Sequence, residues 1–184
     1  MAESLNIDPA AETENGRPEC ACAVPGDASE RSPEAPCVIS GGFPEWKRVF
    51  GIKDRDLRDY PALTLAYIGD SVYELAVRTV LVRKSRSAVD RIHRSASHYS
   101  RASAQSAIVG ILEPFFTEEE TEIYKRGRNA HALTRAKNAS VADYRRATGL
   151  EALIGYLYLK EDFERMMWLI HTGISTFHEE SKHE

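Results

Sequence analysis

Residues 63–83 read LTLAYIGDSVYELAVRTVLVR. A helix over this stretch is roughly 30 Å long. Apolar side chains fall on every side of it: Leu65, Ile68, Val72, Leu75 and Ala76 on one, Leu63, Ala66, Tyr67, Val77 and Leu81 on the other. A helix of that kind belongs in the centre of a domain. Yet Asp70 and Glu74 stand one turn apart on the same face. A buried carboxylate without a partner costs several kcal/mol or gives up its charge. What compensates these acids is the question on which function turns.

The flanking sequence supplies more helices. Asp59-Tyr60-Pro61 is a good entry to the long helix, since proline is tolerated in a first turn. Before it, Phe43, Trp46 and Phe50 predict a short helix. After it, helices are expected over about 87–99 and 101–113, with Ser87 and Ser100 as N-caps and Pro114 closing the second. Thr117 with Glu120 is a capping box that opens a helix to about Arg126, stopped by Gly127. Residues 127–139, GRNAHALTRAKNA, read as an exposed basic loop. Ser140 with Asp143 starts a helix to about Leu159, and a last helix covers about 161–179. No stretch alternates with period two, so the fold class is all-α.

At 184 residues the chain has room for one domain with a full core. Residues 1–42 carry eight acids against two bases and almost no apolar periodicity, so they read as a disordered acidic tail. The domain is expected to span 43–184, which carries 22 bases against 20 acids. No apolar run is long enough to span a bilayer. The N-terminus resembles neither a secretory signal nor a transit peptide, so a cytoplasmic location is expected. All three cysteines, Cys20, Cys22 and Cys37, lie in the tail, which has no histidine to complete a zinc site.

The second candidate acid is Glu151. It is the one charge in GLEALIGYLYL at 149–159, an otherwise apolar helix. Asp70 and Glu151 thus each sit in a central helix, where they can converge. Converging carboxylates repel unless one is protonated or a cation lies between them. An all-oxygen donor set favours Mg²⁺, or Mn²⁺, over zinc. Gly69 and Gly155, close to the two acids, would let the helices approach closely. Each acid has a plainer reading as a core carboxylate paired with an arginine or a helix N-terminus. Glu74 reads first as an i,i+4 pair with Arg78 and second as a further metal ligand.

Two basic clusters point to a phosphate-bearing partner. Residues 78–101 hold seven Lys and Arg against Asp90, and residues 124–146 hold seven against Asp143. No aromatic interleaving suits single-strand stacking, and no phosphate-cradling glycine loop is present. A phosphate face without base-reading motifs suits duplex RNA, which is recognised mostly by shape.

LAYIGDSVYELAVR (65–78) resembles the signature helix of ribonuclease III domains, and more closely that of the Mini-ribonuclease III branch. KRGRNA (125–130), KNA (137–139) and YRRATGLEALIGYLYL (144–159) extend the resemblance from about Pro61 to Ile174. It implies a homodimeric, Mg²⁺-dependent endoribonuclease that cuts double-stranded RNA and matures the ends of 23S ribosomal RNA precursor. It implies Asp70 as the main catalytic acid and Glu151 as a catalytic metal ligand. The further acids of full-length ribonuclease III enzymes are replaced here by Leu63, Ala66 and Thr148, as is usual for the branch. No separate duplex-RNA-binding domain is expected, so Lys125, Arg126, Arg128, Arg135 and Lys137 are expected to contact phosphates. The rival readings are a non-catalytic duplex-RNA-binding module that keeps the fold, and a plain helical interaction domain. Retention of both Asp70 and Glu151 weighs against the first.

Overall fold

The computed structural model describes residues 42–130 and 140–183. The chain divides into two compact units, Met1–Asp54 and Arg55–Glu184. The expected disorder of residues 1–42 falls on positions outside the described residues, apart from Gly42, which begins a helix. That helix, α1 (Gly42–Phe50), sets Trp46 against Phe50 as a tilted pair with ring centroids 5.9 Å apart. Gly51, at φ 63°, turns the chain, and Lys47 pairs with Asp54 at 2.5 Å.

The second unit holds α2 (Ala62–Lys84), α3 (Val89–Ser100), α4 (Ala102–Leu112), α5 (Glu118–Asn129), α6 (Val141–Leu159) and α7 (Phe163–His183). Short 3-10 turns lie at Leu57–Asp59 and Glu113–Phe115. The described residues contain no strand, so the all-α expectation stands. The core is built round α6. Its Ala147, Leu150, Leu153, Ile154, Tyr156 and Leu157 are buried, and α2, α4, α5 and α7 pack against it. α3 packs on α2.

Two of the expected caps form. Thr117 and Glu120 make both bonds of a capping box, and the Ser140 hydroxyl accepts from the Asp143 N–H. Glu120 is buried and also takes two bonds from Arg165 on α7, at 2.8 and 2.9 Å. Burial raises the Glu120 carboxyl, but the bonds from Arg165 and Thr117 outweigh it and hold the carboxyl low. The Ser87 and Ser100 caps do not form. Ala88 and Arg101 occupy those N-cap positions without a side-chain bond. Ser87 instead gives its N–H to the Ser85 hydroxyl.

Glycines set how closely the helices approach. A Cβ on Gly69 would land on the Glu151 carbonyl, and one on Gly155 on the Leu65 carbonyl. α2 and α6 therefore cross backbone to backbone, as expected from the two glycines. Gly127 plays a different part from the expected helix stop. It lies inside α5, and a Cβ there would come within 2.6 Å of the Ala152 Cβ. Packing against α6 explains it, and α5 runs on to Asn129.

The outer side of α2 departs from the reading of a helix buried all round. Tyr67 is 80% exposed and Leu75 66%, and Leu63 and Val82 are also exposed. α6 takes the centre, and α2 covers it with one face.

The crossing should reject any added side chain. Gly155→Ala is expected to cost more than about 2 kcal/mol, because backbone must move. Gly110 is exposed on α4, and a methyl added there would meet only the Arg146 side chain, at 3.4 Å. Gly110→Ala is expected to gain roughly 0.5–1 kcal/mol from helix propensity. Thermal and urea unfolding of the two variants checks both signs.

Candidate active site

The α2–α6 crossing is where the two candidate acids meet. Asp70 follows Gly69 directly, and the Glu151 carbonyl faces the Gly69 Cα. The pairing of glycine and acid in each helix is what brings the carboxylates together. The Asp70 charge acts on Glu151. The Glu151 carboxyl is pushed up to about 7, by burial first and by the Asp70 carboxylate second, with the Gln105 amide opposing. Asp70 opens to solvent, yet its carboxyl is raised as well. Partial burial is the main cause, then Glu74, while Arg78 opposes. Two acids that each resist ionisation are a site that gains from a cation between them.

The walls of the site are apolar and aromatic. Tyr73, one turn past Asp70 on α2, is fully buried and donates its hydroxyl to the Tyr99 carbonyl at 3.2 Å. Its phenol is held far above the ordinary range by burial, by Tyr99 and by the Glu151 charge. Tyr73 is therefore a neutral donor already committed to the backbone. Gln105 of α4 is completely buried beside Glu151. It lowers the carboxyl's pKa without a full hydrogen bond, since neither amide atom has a partner. Sequence reading missed both residues. The available signal for Gln105 was an amide within the otherwise small and apolar ASAQSAIVGIL of 102–112.

Glu74 takes its first expected role. Its carboxylate pairs with Arg78 at 2.5 Å. Among the described residues no group of three or more His, Cys, Asp or Glu is arranged to hold a metal. Asp70 and Glu151 thus form an all-oxygen pair of acids with an open side. That fits Mg²⁺ or Mn²⁺, which keep several waters and take one or two carboxylates from a protein.

The basic residues divide. Lys125 is exposed near the end of α5. Arg128 lies over the Tyr124 ring, 5.6 Å from its centroid, with Nε donating to Asn129 Oδ1 at 3.4 Å. Arg126 is turned inward. Its Nη2 donates to the Arg58 carbonyl at 3.1 Å and the Tyr60 carbonyl at 2.9 Å. It ties α5 to the turn that leads into α2. Arg135, Lys137 and most of the expected basic loop lie outside the described residues. Because Gly127 packs on Thr148, Gly149 and Ala152, the basic end of α5 lies beside the segment that carries Glu151.

Comparison with known proteins finds relatives for the fold. Residues 63–162 match the Ribonuclease III domain family. The chain is similar to Mini-ribonuclease 3 of Clostridium tetani, 41% identical over 131 residues, covering 71% of this chain and 87% of the relative. It is also similar to Mini-ribonuclease 3 of Enterococcus faecalis, 45% identical over 118 residues, covering 63% and 89%. A crystal structure of a Fusobacterium nucleatum protein superposes with a TM-score of 0.60 at 30% identity, covering 67% of this chain and 98% of that one.

The raised Glu151 pKa has a consequence for stability. An acid that ionises near 4.5 unfolded and about 7 folded makes the metal-free fold less stable as pH rises through that window. With chelator present, wild type and Glu151→Gln should unfold alike near pH ~4. Near pH ~8 the variant should be the more stable, by on the order of 2 kcal/mol. Melting temperature against pH for the pair measures this.

Proposed function

The chain belongs to the ribonuclease III family, in its Mini-ribonuclease III branch, and is an endoribonuclease of double-stranded RNA; we propose that it matures large-subunit ribosomal RNA precursor in the cytoplasm, as a homodimer, with Mg²⁺ or Mn²⁺ held by Asp70 and Glu151. The observation that carries the metal assignment is the pair of acids at the α2–α6 crossing, one raised to about 7 by burial and by the other's charge. A divalent cation bound there would supply Lewis-acid activation of water and stabilise the leaving 3′ oxygen. The protein's own part is to hold the two carboxylates at a fixed spacing on rigid backbone. The apolar wall around Glu151 keeps its charge from being dispersed into water, which strengthens its pull on a cation. Asp70, on the open side, faces the incoming phosphodiester.

Duplex binding would come from the basic end of α5, with Lys125 and Arg128 as phosphate contacts together with Arg135 and Lys137. Arg126, bound to two carbonyls, supports that surface from behind. The exposed apolar stripe of α2, with Tyr67 and Leu75, supports a two-fold interface, in which the same patch meets itself. Two sites across one duplex would then cut one strand each.

The decisive test is cleavage of a labelled precursor duplex, with and without Mg²⁺, by wild type and Asp70→Asn. Wild type should cut only with the metal. The variant should lose on the order of 10³-fold or more in rate, from a loss of several kcal/mol of charge stabilisation, while still binding RNA. Binding without cutting by wild type would favour the non-catalytic module instead. In a salt titration, Lys125→Ala with Arg128→Ala should weaken duplex binding and reduce the log–log slope by about 1–2. Arg126→Ala should instead lower the melting temperature and leave the slope near that of wild type.

A further inference from the structure

α4 turns Ala104, Ile108, Val109 and Leu112 inward, all buried and all apolar. Gln105 points inward with them and is 0% exposed. Both its Nε2 and its Oε1 lack a hydrogen-bond partner. Protein interiors almost always satisfy buried amides, and each orphaned group costs about 1–3 kcal/mol. A leucine or methionine would fill the same volume without that cost. The amide is therefore poorly explained as packing. Its polar neighbour is Glu151, across the α4–α6 contact.

We propose that Gln105 is a positioning residue for Glu151: its Nε2–H holds one carboxylate oxygen of ionised Glu151, so that the other is presented toward Asp70 and a divalent cation. This rests on the metal-site reading above. Ionised Glu151 has two oxygens to satisfy in a buried setting. The amide supplies a donor for one without adding a charge, and so without competing with the cation. A lysine or arginine in its place would neutralise Glu151 and displace the metal. Positions 63, 66 and 148 hold Leu, Ala and Thr rather than further acids, so the orientation of each remaining acid matters more.

The test uses the full chain and Mn²⁺ alone as probe, with titration calorimetry on wild type, Glu151→Gln and Gln105→Met. Melting temperature with chelator is the second readout. Gln105→Met should be as stable as wild type or more so, because the orphaned amide is gone. Its Mn²⁺ affinity should fall by about 10–100-fold, as for other residues that orient a metal ligand. Metal-free binding of duplex RNA should be unchanged. If Gln105→Met keeps wild-type Mn²⁺ affinity while Glu151→Gln has lost it, the role of Gln105 is overturned and the metal site stands. If wild type does not bind Mn²⁺, or Glu151→Gln binds it as wild type does, both fall. Should the methionine variant fail to fold, Gln105→Leu is put through the same measurements, with the same outcomes deciding.

Discussion

The structure depends on one close approach. At the α2–α6 crossing the helices touch through backbone, because Gly69 and Gly155 leave no room for a Cβ between Glu151 and Leu65. Helix axes usually lie 8–10 Å apart because side chains hold them there. Removing the side chains at the contact brings flanking residues of the two helices within range of each other. The flanking residue on α2 is Asp70, and the one facing it on α6 is Glu151. Packing and chemistry thus share one constraint. A change that separates the helices would also separate the acids.

That arrangement stores an electrostatic conflict in the fold. Glu151 lies against apolar wall, and burial and the Asp70 charge both make its ionisation harder, while Asp70 is raised by its own partial burial and by Glu74. The conflict is unfavourable in the metal-free chain, and a cation between the two acids would relieve it. The stabilising acids are elsewhere. Glu120 shows the contrast: it is buried, but it caps α5 and takes two bonds from Arg165. A buried acid whose oxygens are satisfied by the protein is part of the scaffold. One whose oxygens are not is available for a ligand.

Basic residues follow the same logic. Arg126, Arg128 and Lys125 sit within four positions of one another, yet they are not equivalent. Arg126 has its guanidinium on two backbone carbonyls of the segment before α2. Lys125 faces solvent. Which cation meets solvent depends on helical phase and on what α5 packs against. Gly127 sets that phase by lying against α6.

Much was legible in the sequence because it is local. The periodicity of 63–83 and 140–159, the Thr117 and Ser140 caps, and the conjunction of glycine with acid in two apolar helices all act within a few residues. From them follow the all-α class, the helix positions, the family and the pair of acids. The tertiary structure decided the rest. It put α6 rather than α2 at the centre, left Tyr67 and Leu75 uncovered, turned Arg126 inward and set Gln105 beside Glu151. Two helices apolar on all sides carry the same pattern, and their residues do not say which will find partners on every face. That depends on contacts between segments distant in the chain. The same holds for Gln105, whose amide becomes informative only when its neighbours are known.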